Sequence, residues 1–194
     1  MTFASLLAEA VATTRLLAVN AASVEAEAVA KRADAHRGLA PTRPGQPCPL
    51  EGASALIDDE PFEGATALLD LFRTDIDELC WFRSSSVPSD FVTQSAAAEL
   101  LGPDGAVETH ELRFGFFLIG PHADYVRHWH AAEELYMVLS GGAEWNLDDG
   151  WRRRSAGDIV RVPSMTPHAI RTSTSPVLML YSWTGNLTFD TYGY

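Results

Sequence analysis

After Gly105 the sequence breaks into short runs of β-branched and aromatic residues, separated by glycine, proline and acidic turn signals. In order, the runs read ELRFGFFLIG, ADYVRHWH, ELYMVLSG, GAEWNL, DIVRVP, HAIRT and VLMLYSW. Runs of this length and spacing are typical of antiparallel strands. Such strands close into a sandwich or barrel whose interior can hold one small ligand. We therefore predict a β-barrel domain over residues 105–194.

The preceding residues, 1–104, predict a helical extension packed on that barrel. Apolar residues recur at helical spacing over 3–36, which predicts one long helix, and again over 61–79. A third helix is predicted after the Ser89 cap signal and through the alanine-rich stretch that follows. Residues 38–53 are rich in proline and glycine, which favours an extended linker over the surface.

Composition limits the partners of the chain. A formal net charge of -12 repels phosphate backbones and anionic lipid headgroups, which argues against nucleic acid and membrane surfaces as partners. We find no run of 18 or more apolar residues, and the N-terminus lacks the basic start of a signal peptide, so we expect a cytoplasmic protein. Cys48 and Cys80 form no CxxC pair and are expected to be free thiols. Homodimerisation through the first helix is a further hypothesis.

Histidines and acids are concentrated where two predicted strands meet. His128 and His130 are two residues apart, and so are Glu134 and Tyr136 on the next strand. Because side chains alternate across a strand, each pair shares one face. A hairpin between the strands is predicted to bring all four side chains together.

A third imidazole is expected from His168, which follows a strand that Pro163 and Pro167 interrupt. Two or three imidazoles with a carboxylate form a mixed nitrogen and oxygen site suited to Fe, Mn, Ni, Zn or Co. Without an ion or hydrogen-bond partners, such residues on an inward face would cost much desolvation energy. His36, His110 and His122 lie outside this pattern, and we interpret them as surface or core residues.

These spacings resemble the cupin superfamily. The first cupin motif is matched by His128-x-His130-x3-Glu134-x6-Gly141, and the second by Gly157-x5-Pro163, with His168 at the ligand position. The sequence departs from the pattern at three places: seven rather than five residues separate Gly120 from the first histidine, Met165 replaces a glycine, and Thr172 replaces an asparagine. The resemblance implies a cupin jelly-roll barrel with one divalent metal ion.

A narrower resemblance is carried by Tyr125-x2-His128-x-His130-x3-Glu134-x-Tyr136, by PHAIRT and by LYSWTGN. Together with the helices before the barrel, these motifs are similar to the cupin dimethylsulfoniopropionate (DMSP) lyases of the DddQ type. The resemblance implies metal ligation by the three histidines and the glutamate. It also implies that Tyr136 is the base or a further ligand and that Tyr125 assists in handling the substrate.

The implied reaction is a β-elimination that converts DMSP to dimethyl sulfide and acrylate. A Lewis acid on the substrate carboxylate and a phenol near a cation suit this chemistry, and Fe, Zn and Mn all remain open as the metal. The sulfonium group calls for aromatic faces. Trp183 is our first candidate by its strand position and by the resemblance, with Trp129 among several others.

Two alternative functions stay open at this point. One is another metal-dependent cupin reaction on a small carboxylate, catalysed by a dioxygenase or an isomerase. The other is a non-catalytic cupin sensor whose helices contact a partner protein. The two tyrosines beside the predicted ligands argue against the sensor, because binding alone needs no titratable phenol in the pocket.

Overall fold

The computed structural model of the protein describes residues 2–53, 57, 61–82 and 89–194. Within these ranges the α-helices are α1 (Phe3–Ala21), α2 (Val24–Asp34), α3 (Thr66–Asp75) and α4 (Ser89–Val92). The strands are β1 (Trp81–Phe82), β2 (Ser95–Gly102), β3 (Val107–Glu108), β4 (Arg113–Ile119), β5 (Asp124–His128), β6 (Ala132–Asn146), β7 (Trp151–Ser155), β8 (Ile159–Val162), β9 (His168–Arg171) and β10 (Val177–Gly185).

The strands form one curled sheet in the order β1-β2-β4-β10-β6-β9-β5, with β3 paired to β2 and both β7 and β8 paired to β6. Strand β6 joins the two halves of this sheet, because its first half pairs with β10 and β8 and its second half pairs with β7 and β9. The strand bends at Gly141, which has a φ of 71° and lies so close to Pro176 that a Cβ would clash with its carbonyl. This bend curls the sheet into a barrel.

Both faces of the central strands are buried, because alternate residues of β6 pack into two different cores. Leu135, Met137 and Leu139 face outward into a core shared with the helices. Tyr136 and Val138 face inward into a second core inside the barrel. The helices therefore cover the outer face of the sheet and leave the barrel interior to the other set of side chains. The predicted fold, a cupin barrel with an N-terminal helical extension, is confirmed.

The stretch SAAAELLG, predicted as part of a third helix, is strand β2. It pairs with β1 on one side and β4 on the other, and these sheet contacts override the helical preference of its alanines. Only Ser89–Val92 is helical there. The sheet thus includes two strands from the part of the chain before residue 105. The division into residues 1–104 and 105–194 remains a prediction.

The single long helix predicted over residues 3–36 is divided into α1 and α2. Ala22 ends α1 in the left-handed conformation, with a φ of 52°, and its N–H reaches the carbonyls of Ala18 and Val19. Ser23 then caps α2 by accepting a hydrogen bond from the N–H of Ala26. The helices are also joined by an ion pair between Arg15 and Asp34 at 2.9 Å. Apolar spacing predicted the helices but missed this reversal.

Helix α1 is long and apolar enough to cross a membrane by length and composition alone, although Glu9 and Arg15 interrupt its apolar residues. In the structure its face containing Leu6, Leu7 and Val11 is buried in the core shared with α2 and α3. Helix α1 is therefore a core helix of this fold.

Within the proline-rich segment predicted as a surface linker over residues 38–53, residues 39–48 form neither helix nor strand. Backbone hydrogen bonds attach it to the rest of the molecule: the N–H groups of Thr42 and Arg43 donate to the carbonyl of Ala106, and the N–H of Gln46 donates to that of Leu79. These contacts attach the linker to the backbone just before β1 and just before β3.

We predict that Ala22→Gly stabilises the protein by about 0.5–1 kcal/mol, because glycine adopts a positive φ without the steric cost of a Cβ. As the matched control, Ala12→Gly at an exposed position inside α1 should destabilise the protein by about 1 kcal/mol. Urea unfolding measures both changes. Destabilisation by Ala22→Gly would contradict the assigned helix break.

Candidate metal centre

Three predicted imidazoles meet at one end of the barrel. His128 ends β5 directly opposite His168, the first residue of β9. His130 follows two residues later, in the short link that leads into β6. One ring nitrogen from each of the three residues lies within 4.8 Å of those of the other two, and all three residues are buried. The structure therefore brings the three predicted nitrogen ligands together.

The predicted hairpin between the two motif strands is wrong, although its side chains converge. Strand β5 pairs with β9, and β9 lies between β5 and β6 in the sheet. The link of residues 129–131 crosses from one half of the curled sheet to the other. Curvature of the barrel, rather than a tight turn, brings the two strands to the same site.

Each imidazole is oriented by a backbone carbonyl in its own segment. The Nδ1 atoms of His128, His130 and His168 lie 2.8, 3.2 and 3.0 Å from the carbonyl oxygens of Val126, Ala132 and Thr166. A carbonyl oxygen can only accept, so each Nδ1 carries the proton and donates it. The lone pair of each Nε2 is then directed into the cluster, which is the tautomer that a metal ligand needs.

The residues present fit a divalent metal ion. In the part of the chain that the structure describes, the buried Nε2 atoms of His128 and His168 have no hydrogen-bond partner. Unpaired buried acceptors are costly, and an ion bound between them would satisfy both. Three imidazole nitrogens with a carboxylate suit several first-row transition metals without selecting one.

Glu134 supplies the carboxylate from the beginning of β6. Its Oε2 atom lies 3.1 Å from Nε2 of His130 and 3.6 Å from Nε2 of His168. Its other oxygen, Oε1, accepts a 2.7 Å hydrogen bond from the indole N–H of Trp183, the residue opposite it on β10. Trp183 therefore orients the carboxylate with one oxygen toward the imidazoles.

Burial and mutual charge set the protonation of this cluster. Burial, together with the neighbouring His168, lowers the pKa of His128 to about 3 and keeps it neutral. Burial alone would raise the pKa of Glu134, but the neighbouring rings of His130 and His168 outweigh it and hold that pKa well below its usual value. Burial also opposes protonation of His130, yet the Glu134 carboxylate raises the pKa of that ring. The carboxylate is therefore ionised, as a metal ligand must be.

A cavity of about 60 Å³ opens beside the cluster within the barrel. Glu134 and Trp183 line it on the side of the histidines. Most of the remaining lining is aromatic: Phe82, Phe91, Phe117, Tyr125, Tyr136, Tyr181, Phe189 and Tyr192. The cavity therefore offers a ligand the polar groups of Glu134, Arg113 and Ser95 and walls made mainly of rings.

Both predicted catalytic tyrosines reach this cavity. Tyr136 lies on β6 two residues after Glu134 and is 2% exposed. Tyr125 lies on β5, with its ring stacked between those of Phe91 at 4.0 Å and His128 at 3.9 Å. The structure thus places two phenols in the pocket beside the candidate ligands.

The two tryptophans predicted to bind substrate occupy different places. Trp183 lines the cavity and lies 4.5 Å from the ring of His130. Trp129 lies between the two histidines of the link, is absent from the described lining of the cavity, and packs against Gly193. A role for Trp129 in substrate binding remains a prediction, and this position does not support it.

Several cavity residues were missed in the sequence, chiefly Phe189 and Tyr192 beyond the last strand. The only signal was the aromatic content of the segment TFDTYGY, which has no strand or helix periodicity. The histidines interpreted as unrelated to the site are confirmed as such. His36 bonds the carbonyl of Arg32 and the hydroxyl of Thr109, whereas His110 and His122 are exposed.

Comparison with known proteins identifies related sequences. Residues 21–179 match the model of the dimethylsulfoniopropionate lyase family, which covers most of the chain. The chain is 34% identical over 107 residues to the dimethylsulfoniopropionate lyase DddQ of Ruegeria pomeroyi. That alignment covers 55% of this chain and 53% of the relative, so it spans about half the length of the curated protein.

Solved structures resemble the fold. One of the crystal structures of the DMSP lyases RdDddP and RnDddQII superposes with a TM-score of 0.69 and 29% identity, covering 78% of this chain and 80% of that one. The crystal structure of DddQ from Ruegeria pomeroyi superposes with a TM-score of 0.63 and 26% identity, covering 93% and 95%. The likeness to DddQ therefore extends over the helices as well as the barrel.

We predict that the wild-type protein binds one divalent transition-metal ion per chain and that His168→Ala weakens this binding at least about tenfold, because one of three converging nitrogens is lost. Metal content after dialysis against a graded chelator measures the change. His110→Ala, at an exposed histidine outside the cluster, is the matched control and should bind like wild type. Equal affinity in His168→Ala and wild type would contradict the assigned site.

Proposed function

This chain belongs to the dimethylsulfoniopropionate lyase family, and we propose that it cleaves DMSP to dimethyl sulfide and acrylate. The observation that carries the proposal is the cavity itself. It is small, it is lined by Glu134, whose carboxylate lies beside the histidine cluster, and rings form most of its walls. DMSP has a matching polarity, since it carries a carboxylate at one end and a dimethylsulfonium cation at the other.

The proposed ligands of the metal are His128, His130, Glu134 and His168. A divalent ion held by them would act as a Lewis acid and stabilise the negative charge that develops on the substrate carboxylate. Trp183 supports the set by fixing the Glu134 carboxylate through its indole N–H. Fe, Zn and Mn all suit this role, because an elimination needs no change of metal oxidation state.

Tyr136 is the proposed general base. Its phenolate would take the proton from the carbon beside the substrate carboxylate, and the released electron pair would form the carbon–carbon double bond. The carbon–sulfur bond would then break, and its electron pair would leave with sulfur as dimethyl sulfide. The products are acrylate, dimethyl sulfide and one proton, which Tyr136 would return to solvent.

Without a metal ion, the surroundings of Tyr136 oppose ionisation of its phenol. Burial first, and the negative charge of Glu134 second, raise the pKa of its phenol well above the usual value of 10. The phenol is therefore neutral in the chain alone. A positive charge at the histidine cluster acts in the opposite direction and would favour the phenolate, which ties the activity of the base to metal binding.

Aromatic rings in the wall of the cavity are the proposed partners of the sulfonium. Trp183, Phe189 and Tyr192 lie with ring centroids 5.1 to 6.1 Å apart and line the cavity together. Faces of such rings attract organic cations by about 0.5–2 kcal/mol, and by more when water is excluded. Tyr125 completes the lining between this aromatic group and the metal centre and is proposed to help orient the substrate.

We predict that purified, metal-loaded protein releases dimethyl sulfide from DMSP and that Tyr136→Phe lowers kcat about 100-fold to 10,000-fold while the metal stays bound, because only the base is lost. Gas chromatography measures the product, and elemental analysis measures the metal. Tyr194→Phe makes the same chemical change at a tyrosine that is 52% exposed and should retain wild-type activity.

Two results would count against the proposal. Absence of dimethyl sulfide with Fe, Zn and Mn would remove DMSP as the substrate, and oxygen consumption with Fe(II) would point to a dioxygenase instead. Full activity of Tyr136→Phe would leave the elimination in place but remove Tyr136 as its base.

A further inference from the structure

Residues 186–194, which we call the tyrosine strap, run from the end of β10 across the metal centre. Trp129 and Gly193 exchange two backbone hydrogen bonds of 3.0 Å each, and Thr191 accepts one of 3.0 Å from the N–H of Ala131. These bonds attach the strap to the link that carries His130. The strap is therefore built onto the same backbone that presents the imidazoles.

A buried arginine fixes the first part of the strap. Arg113 on β4 donates from Nε to the carbonyl of Leu187 at 2.8 Å, and its guanidinium lies 4.5 Å from the centre of the Phe189 ring. Glu99 and Asp104 in turn hold this arginine through ion pairs of 2.7 and 3.0 Å. The strap is thus attached both to the wall of the barrel and to the histidine link.

Tyr192 is the strap residue whose ring lies against both His128 and His130. Its ring lies parallel to that of His128, at 5.5 Å with an angle of 5° between the planes, and it lines the cavity. The next residue, Gly193, packs so closely on Trp129 that a Cβ would clash with the indole. This close approach sets the depth at which Tyr192 lies.

The hydroxyl of Tyr192 meets the hydroxyl of Tyr125 at 3.2 Å, so that one donates to the other. The Tyr125 ring is already stacked on Phe91 and His128, at plane angles of 10° and 22°. Stacking fixes the plane of a ring but leaves the orientation of its hydroxyl to a hydrogen-bond partner. Tyr192 supplies that partner from a segment outside both cupin motifs.

We propose that Tyr192 is a positioning residue, which holds the Tyr125 hydroxyl in the orientation that the reaction needs. This inference rests on the proposed lyase function and adds to it a role for the Tyr192 hydroxyl, which acts through Tyr125, beside the proposed contact of the Tyr192 ring with the sulfonium. Tyr192 is then part of the active site, although it lies beyond the last strand of the barrel.

Steady-state kinetics of Tyr192→Phe with DMSP tests the inference. The variant keeps the ring stacked on His128 and loses only the hydroxyl, so we expect kcat to fall about tenfold while KM, metal content and the thermal midpoint stay close to wild type. Tyr194→Phe is the matched control in the same strap and should leave kcat unchanged.

A double-mutant cycle separates positioning from a general structural effect. In a Tyr125→Phe background the partner hydroxyl is already absent, so adding Tyr192→Phe should lower kcat by less than about twofold more. An undiminished tenfold loss in that background would overturn the inference, and so would wild-type kcat in the single variant. Failure of the lyase proposal is distinguishable, because the wild-type protein itself would then release no dimethyl sulfide.

Discussion

Burial of three imidazoles and a carboxylate inside one barrel is the constraint on which the rest of the site depends. These groups lose their hydration, and the structure replaces it in two ways. Backbone carbonyls accept hydrogen bonds from the Nδ1–H groups of the three rings, and the indole N–H of Trp183 donates to one oxygen of Glu134. What remains is a set of nitrogen lone pairs and one carboxylate oxygen directed at a common point, which suits a divalent ion. The proposed chemistry, including ionisation of Tyr136, follows from the charge at that point.

The helical extension contributes to this site indirectly. The helices cover the outer face of the sheet and bury Leu135, Met137 and Leu139 of β6. This packing fixes the position of β6 from its outer face. The inward positions of β6 are then free to carry Glu134 and Tyr136 rather than more aliphatic core. The bend of the strand at Gly141 curls the sheet around these residues. A polar site inside a small barrel is stabilised by an apolar core outside it.

Much of the barrel and of the metal centre could be predicted, because strand alternation and short motif spacing are local properties of the sequence. His128, His130 and Glu134 were grouped by that alternation, and His168 by its place after two prolines. The predictions that were wrong concerned elements whose structure depends on contacts between residues distant in the sequence. The alanine-rich stretch of β2 becomes a strand only because β1 and β4 flank it, and β9 separates the two motif strands that were predicted to form a hairpin. Tyr192 carries no periodic signal, since backbone bonds to Trp129 and not a regular element place it.

X-ray absorption spectroscopy of the metal-loaded protein, combined with anomalous diffraction from its crystals, tests the central claim most directly. We predict one ion per chain, bonded to Nε2 of His128, His130 and His168 and to an oxygen of Glu134, at about 2.0–2.2 Å. An ion bound elsewhere in the chain, or one that leaves these imidazoles uncoordinated at full occupancy, would contradict the assignment of this cluster as the metal centre.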